Sequence, residues 1–106
     1  MYATVRRYTP KGAVDKKAID DLKRRIENGF VPMVQEVRGF HSYYVLATGK
    51  NELVTIGIFD DKTGATESTR RAAEFVKKDP EKDRLGTPEI YEGELLVTKE
   101  GAVVTR

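Results

Sequence analysis

The spacing of apolar residues changes several times along the chain, and each change predicts the border of a structural element. Runs rich in β-branched and aromatic residues predict four strands, at about residues 2–8, 40–48, 52–60 and 90–98. Apolar residues at three- and four-residue spacing, set among charged residues from Asp15 onward, predict an amphipathic helix after the first strand. A similar stripe predicts a second helix after the third strand. The predicted order is therefore βαββαβ.

The first helix is interrupted in its second half. Gly29 and Pro32 disfavour a regular helix there, yet Phe30 continues the apolar stripe, so we expect one kinked helix that ends at about residue 36. Our first interpretation of the kink is a bend that follows the sheet. The alternative is that Asn28, at the break, opens the mouth of a pocket.

Turn-forming and capping residues indicate where the next elements begin and end. Residues 48–51, Thr-Gly-Lys-Asn, suit a tight hairpin turn between the second and third strands. Asp60 and Asp61 can cap the second helix, which Asp79 and Pro80 should end.

Both faces of the predicted sheet carry apolar side chains, because the side chains of a strand point to opposite faces in turn. In the third strand, alternation divides the apolar residues into two sets: Val54, Ile56 and Ile58 on one face, Leu53 and Phe59 on the other. The second strand divides in the same way: Phe40, Tyr44 and Leu46 on one face, Tyr43, Val45 and Ala47 on the other. Two helices joined by right-handed crossovers cover only one of these faces.

A second copy of the chain is the simplest cover for the remaining face. Leaving three or four large side chains in water would forgo roughly 5 to 10 kcal/mol, at ~1.5 to 3 kcal/mol for each. That is about the whole stability of a small domain. Homodimers are the commonest symmetric assembly, so we expect a homodimer that pairs sheet with sheet.

Length and composition limit the number of domains and the kinds of partner. The 106 residues suffice for one domain, expected over 1–98, with a tail over 99–106 that frays or lies against a partner through apolar residues 102–104. A formal charge of only +2 predicts no nucleic-acid partner. RNA-recognition domains share the βαββαβ order, but their aromatic signature belongs to the third strand, whereas Arg38-Gly39-Phe40 starts the second.

The chain has no cysteine, which excludes disulfides, thiolate metal sites and cysteine nucleophiles and is typical of a reducing compartment. The N-terminus lacks the apolar stretch of a signal peptide, and no apolar run reaches the ~18 residues of a membrane span. We therefore expect a cytoplasmic protein that does not associate with membranes.

The candidate site residues are the lone histidine and several strand aromatics. One histidine without acidic partners at ligand spacing does not make a conventional metal site, so no metal is expected. His41 is the first candidate for a catalytic base, and a structural hydrogen bond on its strand is the alternative. Tyr8, Tyr43 and Phe59 are candidates to line a pocket for a small aromatic ligand; the alternative is that they fill the core.

Arg6 and Arg7 are consecutive in the first strand, so one of them points to a face that is expected to be buried. An inward arginine could hold an anionic substrate or a carboxylate of the partner. An arginine at a sheet edge could instead reach water. The sequence leaves these alternatives open.

Three segments of the chain resemble one known family. They are Asn28-Gly29-Phe30-Val31-Pro32-Met33, Arg38-Gly39-Phe40-His41-Ser42-Tyr43-Tyr44 and Thr55-Ile56-Gly57-Ile58-Phe59-Asp60-Asp61. The chain is similar, over about residues 2–98, to the antibiotic biosynthesis monooxygenase-like proteins of the dimeric α/β-barrel superfamily. The resemblance implies a ferredoxin-like α+β sandwich: a four-stranded antiparallel sheet with two helices on one face. Two copies would pair their sheets, each with a pocket between sheet and helices.

The resemblance also implies a range of activities. Some members oxidise small aromatic molecules without metal or flavin, others degrade haem or isomerise small rings, and the working residues are often Asn, Trp, Tyr, Arg or His. This sequence has no tryptophan, and of its two asparagines, Asn28 and Asn51, the first could match a polar pocket position. Two hypotheses follow: cofactor-independent oxidation of a small aromatic compound, or a non-catalytic dimeric module that binds a small ligand or serves as a scaffold.

Overall fold

The computed structural model describes residues 1–101 as a four-stranded antiparallel sheet with helices on one face. In chain order the elements are β1 (Tyr2–Tyr8), α1 (Lys16–Arg25), a π segment (Ile26–Phe30), α2 (Val31–Gln35), β2 (Phe40–Ala47), β3 (Leu53–Phe59), α3 (Lys62–Lys77), α4 (Lys82–Leu85) and β4 (Glu89–Glu94). The strands lie in the order β2-β3-β1-β4. The predicted βαββαβ order and α+β class are confirmed. The apolar tail residues 102–104 lie outside the described residues.

Two aspartates begin the long helices. Asp15 accepts a hydrogen bond from the amide of Ala18 at 2.8 Å, and Asp61 accepts one from the amide of Gly64 at 3.2 Å. Each carboxylate thus satisfies an N–H that has no partner within its own helix. The predicted cap of the second helix is confirmed as Asp61, and α3 ends at Lys77, close to its predicted stop.

The predicted interruption of the first helix is confirmed as a π segment. The amide of Val31 donates to the carbonyl of Ile26, five residues back. Four apolar residues that pack toward the sheet here recur at a spacing of four: Leu22, Ile26, Phe30 and Val34. In a straight α-helix this spacing would turn each successive residue ~40° further from the sheet. The wider π turn counters that drift. It directly precedes the turn that contains Pro32, whose nitrogen has no hydrogen to donate to the turn before it.

A β-bulge at the start of β2 decides which face Phe40 occupies. Phe40 pairs with Phe59. Ser42 pairs with Ile58, the adjacent residue of β3, so His41 is an extra residue between the two pairs. The predicted placement of Phe40, by strict alternation, with the outward residues of β2 was wrong. The bulge returns Phe40 to the helix-covered face, where its ring lies 5.9 Å from that of Phe59.

The fourth strand is shorter than the sequence predicted. β4 ends at Glu94, opposite Tyr2, the first residue of β1. One more hydrogen bond, of 2.8 Å, joins the amide of Leu95 to the carbonyl of Met1. The predicted extension to residue 98 was wrong because β1 provides no partner beyond this point. The connection before β4, predicted as a polar stretch, contains the short helix α4.

The two faces of the sheet differ in their cover. The helix-covered face holds the buried core: Tyr8, Leu22, Phe30, Val34, Val37, Leu53, Phe59, Ala65, Ala72 and Leu85. The opposite face, hereafter the uncovered face, carries these side chains: Ala3, Val5, Arg7, Ser42, Tyr44, Leu46, Val54, Ile56, Ile58, Glu89 and Tyr91. Tyr44 and Tyr91 are each 58% exposed. Among residues 1–101, no helix has the length and apolar character needed to cross a bilayer.

Candidate functional site

A cavity lies between the helix-covered face of the sheet and the first helical stretch. Its inner part has a volume of about 40 Å³, and its walls are mainly apolar, with Leu22, Ile26, Phe30 and Phe75 among them. An outer groove of about 310 Å³, between α1 and the edge strand β2, shares several of these walls. A flat apolar ligand could therefore lie in the groove with one end directed inward.

Arg6 is the most unusual residue of the cavity. It lies on β1, a central strand, paired with Thr55 on one side and Ile90 on the other, and only 1% of its surface is exposed. Its Nη1 donates to Thr69 Oγ1 at 3.2 Å, and its Cζ lies 6.0 Å from the centre of the Phe30 ring. Within the described residues, Nε and Nη2 are buried without any acceptor.

Two tyrosines share the cavity with this guanidinium. Burial raises the pKa of both Tyr8 and Tyr43, and the positive charge of Arg6 opposes that rise only in part. Both phenols are therefore protonated at neutral pH and can donate hydrogen bonds. The Tyr43 ring also packs 5.2 Å from that of Phe30, centre to centre, which fixes one wall of the cavity.

Thr55 adds a fourth polar group to the cavity. It lies on β3 beside Arg6, and its buried hydroxyl is near the Tyr43 phenol. Within residues 1–101 it makes no hydrogen bond of ordinary geometry. Buried polar groups are nearly always hydrogen-bonded. A hydroxyl without an ordinary hydrogen bond, next to a guanidinium whose Nε and Nη2 have no acceptor, is therefore typical of a site that receives a polar group from outside.

The structure brings together only some of the predicted site residues. Tyr8 and Tyr43 line the cavity. Phe59 is fully buried in the core, against Phe40. His41 lies at the bulge of β2, exposed and hydrogen-bonded to Asp60, away from the cavity.

Neither asparagine lies in the cavity. Asn28 lines a separate surface groove beside Phe75. Asn51, in the hairpin turn at a φ of 60°, donates to the carbonyls of Pro10 and Gly12 and accepts from the amide of Val14 at 2.9 Å. Asn51 therefore holds the loop after β1 against the hairpin.

The inner cavity can stabilise negative charge but contains no base. Its polar lining consists of hydrogen-bond donors: Arg6, Tyr8, Tyr43 and Thr55. No carboxylate or imidazole of residues 1–101 lines it, and no three metal-binding side chains of that part of the chain come together. The arrangement suits a ligand with an aromatic body and one oxygen that carries negative charge.

Sequence reasoning missed Thr55 and left the direction of Arg6 open. The strand order explains the burial of Arg6. Because β1 is a central strand, an inward-pointing residue on it cannot reach water at the edge of the sheet. Its pairing with β3 then places Thr55 beside Arg6 on the helix-covered face. Strand periodicity gives the alternation of side chains but does not give this register.

No protein-family model and no curated protein sequence matches the chain. Solved structures do match it. A monooxygenase from the gene ActVA-Orf6 of Streptomyces coelicolor, solved with the ligand Nanaomycin D, is 18% identical with a TM-score of 0.64, over 99% of this chain and 92% of that one. SnoaB, a cofactor-independent oxygenase from Streptomyces nogalater, is 18% identical with a TM-score of 0.63, over 92% of this chain and 94% of that one. A dimeric ferredoxin-like protein from an uncultured marine organism is 6% identical with a TM-score of 0.68, over 94% and 98%.

At these identities the matches show the fold and not the activity. Other proteins with this fold include one of unknown function from Nitrosomonas europaea, and one fold commonly serves many functions. The fold that the resemblance implied is therefore confirmed: the chain has the ferredoxin-like subunit fold that the two oxygenases and the dimeric marine protein share.

Proposed function

We propose that the protein binds a small aromatic compound in the cavity and oxidises it with molecular oxygen, without a metal or an organic cofactor. The observation that carries this proposal is a group of hydrogen-bond donors, the buried Arg6 and Tyr8 and the half-buried Tyr43, inside a cavity with aromatic and aliphatic walls. The subunit fold is also that of two solved oxygenases.

The donors suit the difficult step of such a reaction. A substrate such as anthrone gives up a proton to form an electron-rich oxyanion, which can reduce oxygen directly. The overall change replaces two hydrogens on carbon by one oxygen atom, and the second oxygen atom leaves as water. Donors that point at the developing oxyanion lower the barrier to its formation. Within residues 1–101 the inner cavity contains no carboxylate or imidazole, so the proton passes outward, to water or to the Glu27 carboxylate that lines the outer groove.

The test is oxygen uptake by the purified protein with anthrone as substrate. We expect a rate above that of buffer, one oxygen consumed per anthraquinone formed, and a loss of about 10²-fold for Tyr43→Phe, the effect typical of removing one oxyanion donor. Tyr44→Phe is the matched control, since Tyr44 is the next residue and lies on the uncovered face. A wild-type rate equal to that of buffer would remove the activity on this substrate.

A non-catalytic binding module is the second candidate. The specific observation in its favour is the absence of a base from the inner cavity, as far as residues 1–101 define it. Thermal unfolding with a panel of small aromatic compounds separates the two candidates. Compounds that raise the melting temperature and are recovered unchanged after exposure to oxygen would favour binding without catalysis.

The working form is proposed to be a homodimer that pairs the uncovered faces. Leu46, Tyr44 and Tyr91 are apolar or aromatic residues of that face that the chain itself leaves largely exposed. A monomer rarely leaves such a contiguous surface in water. The solved protein of the same fold that is described as dimeric supports dimer formation, and the exposed residues above are the reason to place the interface on this face.

A further inference from the structure

We infer that the cavity takes its ligand as an anion, with an oxygen of an aromatic phenolate, enolate or carboxylate bound to the guanidinium of Arg6. This inference rests on the proposed binding of a small aromatic compound in the cavity, and it adds the charge of that compound and the residue that recognises it.

The first argument is that a buried positive charge needs a partner. Arg6 is 1% exposed, and its Nε and Nη2 donate to no acceptor of residues 1–101. Its Nη1 donates to the neutral hydroxyl of Thr69. The phenol groups of Tyr8 and Tyr43, which also interact with the guanidinium, are neutral too and do not balance its charge. Burying an unpaired charge costs several kcal/mol, so buried cations in proteins are paired almost without exception.

The second argument is that the surrounding elements supply no counter-charge. On β3 the neighbour is the Thr55 hydroxyl, and on α3 it is Thr69. The first carboxylate along this path is Glu92 of β4, which Thr69 contacts at 2.9 Å on the exposed side. Tyr8 and Tyr43 are neutral phenols because burial raises the pKa of each.

Other arginines of the same molecule show what a paired one looks like here. Arg25 donates to both carboxylate oxygens of the buried Asp79, at 3.0 and 3.3 Å. Arg71 reaches Glu67 at 3.0 Å and the carbonyl of Met33 at 2.9 Å. The fold thus pairs these two half-buried arginines with carboxylates. It provides no carboxylate for Arg6, which is more deeply buried.

A carboxylate from a second copy of the chain cannot be the counter-charge for Arg6. Arg6 points to the helix-covered face, whereas the proposed dimer forms through the uncovered face, on the other side of the sheet. The remaining approach to Arg6 is through the cavity and its outer groove. The occupant must therefore be small enough for that space, with a body that suits mainly apolar walls and an anionic group at its inner end.

The ligand class follows from the shape and chemistry of the walls. Phe30 and Tyr43 present rings to a flat body, while Arg6 and Thr55 offer free hydrogen-bonding groups at one end. A guanidinium binds an oxyanion more strongly than the corresponding hydroxyl. An ionisable phenol should therefore lose its proton more readily in the cavity than in water.

The probe for this inference is 4-nitrophenol, whose phenol and phenolate forms absorb differently in the visible range. In the wild-type protein we expect bound 4-nitrophenol to ionise at a pH about one unit or more below the free compound. We also expect 4-nitroanisole, in which a methyl group blocks the oxygen, to bind at least about tenfold more weakly.

Variants assign the effect to Arg6. Arg6→Met should abolish both the shift in ionisation and the preference over 4-nitroanisole, and Arg6→Lys should retain part of each because it keeps the charge. Arg24→Gln is the control, since Arg24 lies on the exposed side of α1 and pairs with Asp21. If the Arg6 variants do not fold, the comparison of the two compounds in the wild-type protein decides the question.

Three results would overturn the inference: no binding of 4-nitrophenol, an unchanged ionisation on binding, or equal binding of 4-nitroanisole. Oxygen uptake is scored separately, so the two proposals can fail independently. Anion binding without oxygen uptake keeps this inference and removes the oxygenase. Oxidation of anthrone without any preference for an anion keeps the oxygenase and removes this inference.

Discussion

Arg6 and Arg7 are adjacent in the chain but lie in opposite environments. Arg7 points to the uncovered face, is partly exposed and pairs with Glu52 at 3.2 Å and with Glu89 at 2.8 Å. Arg6 points the other way and has no carboxylate. A solvated ion pair contributes little to stability or specificity. An unpaired buried cation, in contrast, requires a negatively charged group in the space beside it. At the scale of single residues, function is concentrated in Arg6.

His41 is expected to be dispensable for the cavity. It is exposed, lies at the bulge of β2 and is hydrogen-bonded to Asp60. We predict that His41→Ala changes the affinity for 4-nitrophenol by less than about twofold, within the ~0.5 kcal/mol typical of surface substitutions. Isothermal titration of both proteins measures this. A large loss of affinity, with thermal stability unchanged, would mean that His41 reaches the ligand.

Glu67 is the surface residue whose ionisation should make the stability of the fold depend most clearly on pH. Hydrogen bonds from Arg70 and then Arg71 lower the pKa of its carboxyl from 4.5 to about 2. Because the pKa of the folded state is the lower one, the ion pairs stabilise the fold above pH 4.5 and lose that effect as the pH falls toward 2.

We therefore predict an NMR titration midpoint near 2 for the Glu67 carboxyl. Arg70→Gln should move this midpoint up toward 4.5, because it removes the largest cause of the shift. Glu67→Gln should weaken the dependence of the unfolding free energy on pH between these two values. A wild-type midpoint near 4.5 would show that the exposed ion pairs are screened by solvent.

The sequence alone predicts part of the candidate site. Tyr8 and Tyr43 were candidates for pocket lining, with the core as the alternative, because aromatics on strands do either. Both line the cavity, and Tyr8 also belongs to the buried core. His41 and Asn28 were chosen as candidates because of the chemistry of their side chains, which does not indicate where those side chains point. Both lie outside the cavity. The role of Arg6 depends on the central position of β1, which strand periodicity does not contain.

At the scale of elements, α3 lies so close to the chain before β2 that only a glycine fits without strain at position 64. A methyl group there would lie 3.0 Å from the carbonyl oxygen of Arg38 and 3.1 Å from Cβ of Phe59. Neither atom can move without shifting backbone or core. Gly64 is therefore the point at which the first turn of α3 meets the rest of the fold.

We predict that Gly64→Ala lowers the unfolding free energy by about 1 to 3 kcal/mol, the usual cost of overpacking. Gly49→Ala is the control, because nothing lies within 4 Å of a methyl group at that position of the hairpin. Its effect should stay within ~0.5 kcal/mol. Urea unfolding of both variants gives the comparison, and equal stabilities would show that the helix start adjusts freely.

The boundaries of the elements show where local pattern stops being informative. The cap of the second helix and the hairpin turn were predicted because the side chains that form them are close in sequence. The bulge at His41 and the end of β4 at Glu94 were not predicted, because each depends on the register with a distant strand. The π segment was predicted only as an interruption of the helix. The spacing of apolar residues indicates that the helix is irregular there, but it does not show which backbone hydrogen bonds form.

At the scale of the whole molecule, the uncovered face remains the feature that the chain alone does not explain. The cavity and the core occupy one side of the sheet, and the other side carries apolar and aromatic residues in water. A homodimer through this face would leave the cavity of each subunit open on its own side. Assembly and ligand binding should therefore be separable by substitution.

Leu46→Glu and its control Ile90→Glu test the assembly side of this prediction, namely which face forms the dimer. Both place a charge on an outer strand at a residue of similar exposure, 43% for Leu46 and 45% for Ile90, but Leu46 lies on the uncovered face and Ile90 on the helix-covered face. We predict that the wild-type protein and Ile90→Glu sediment as dimers and that Leu46→Glu sediments as a monomer, because a buried unpaired carboxylate disfavours the interface. Sedimentation velocity over a range of concentrations measures this. A wild-type monomer at high concentration, or a dimer that Leu46→Glu leaves intact, would contradict a dimer formed through this face.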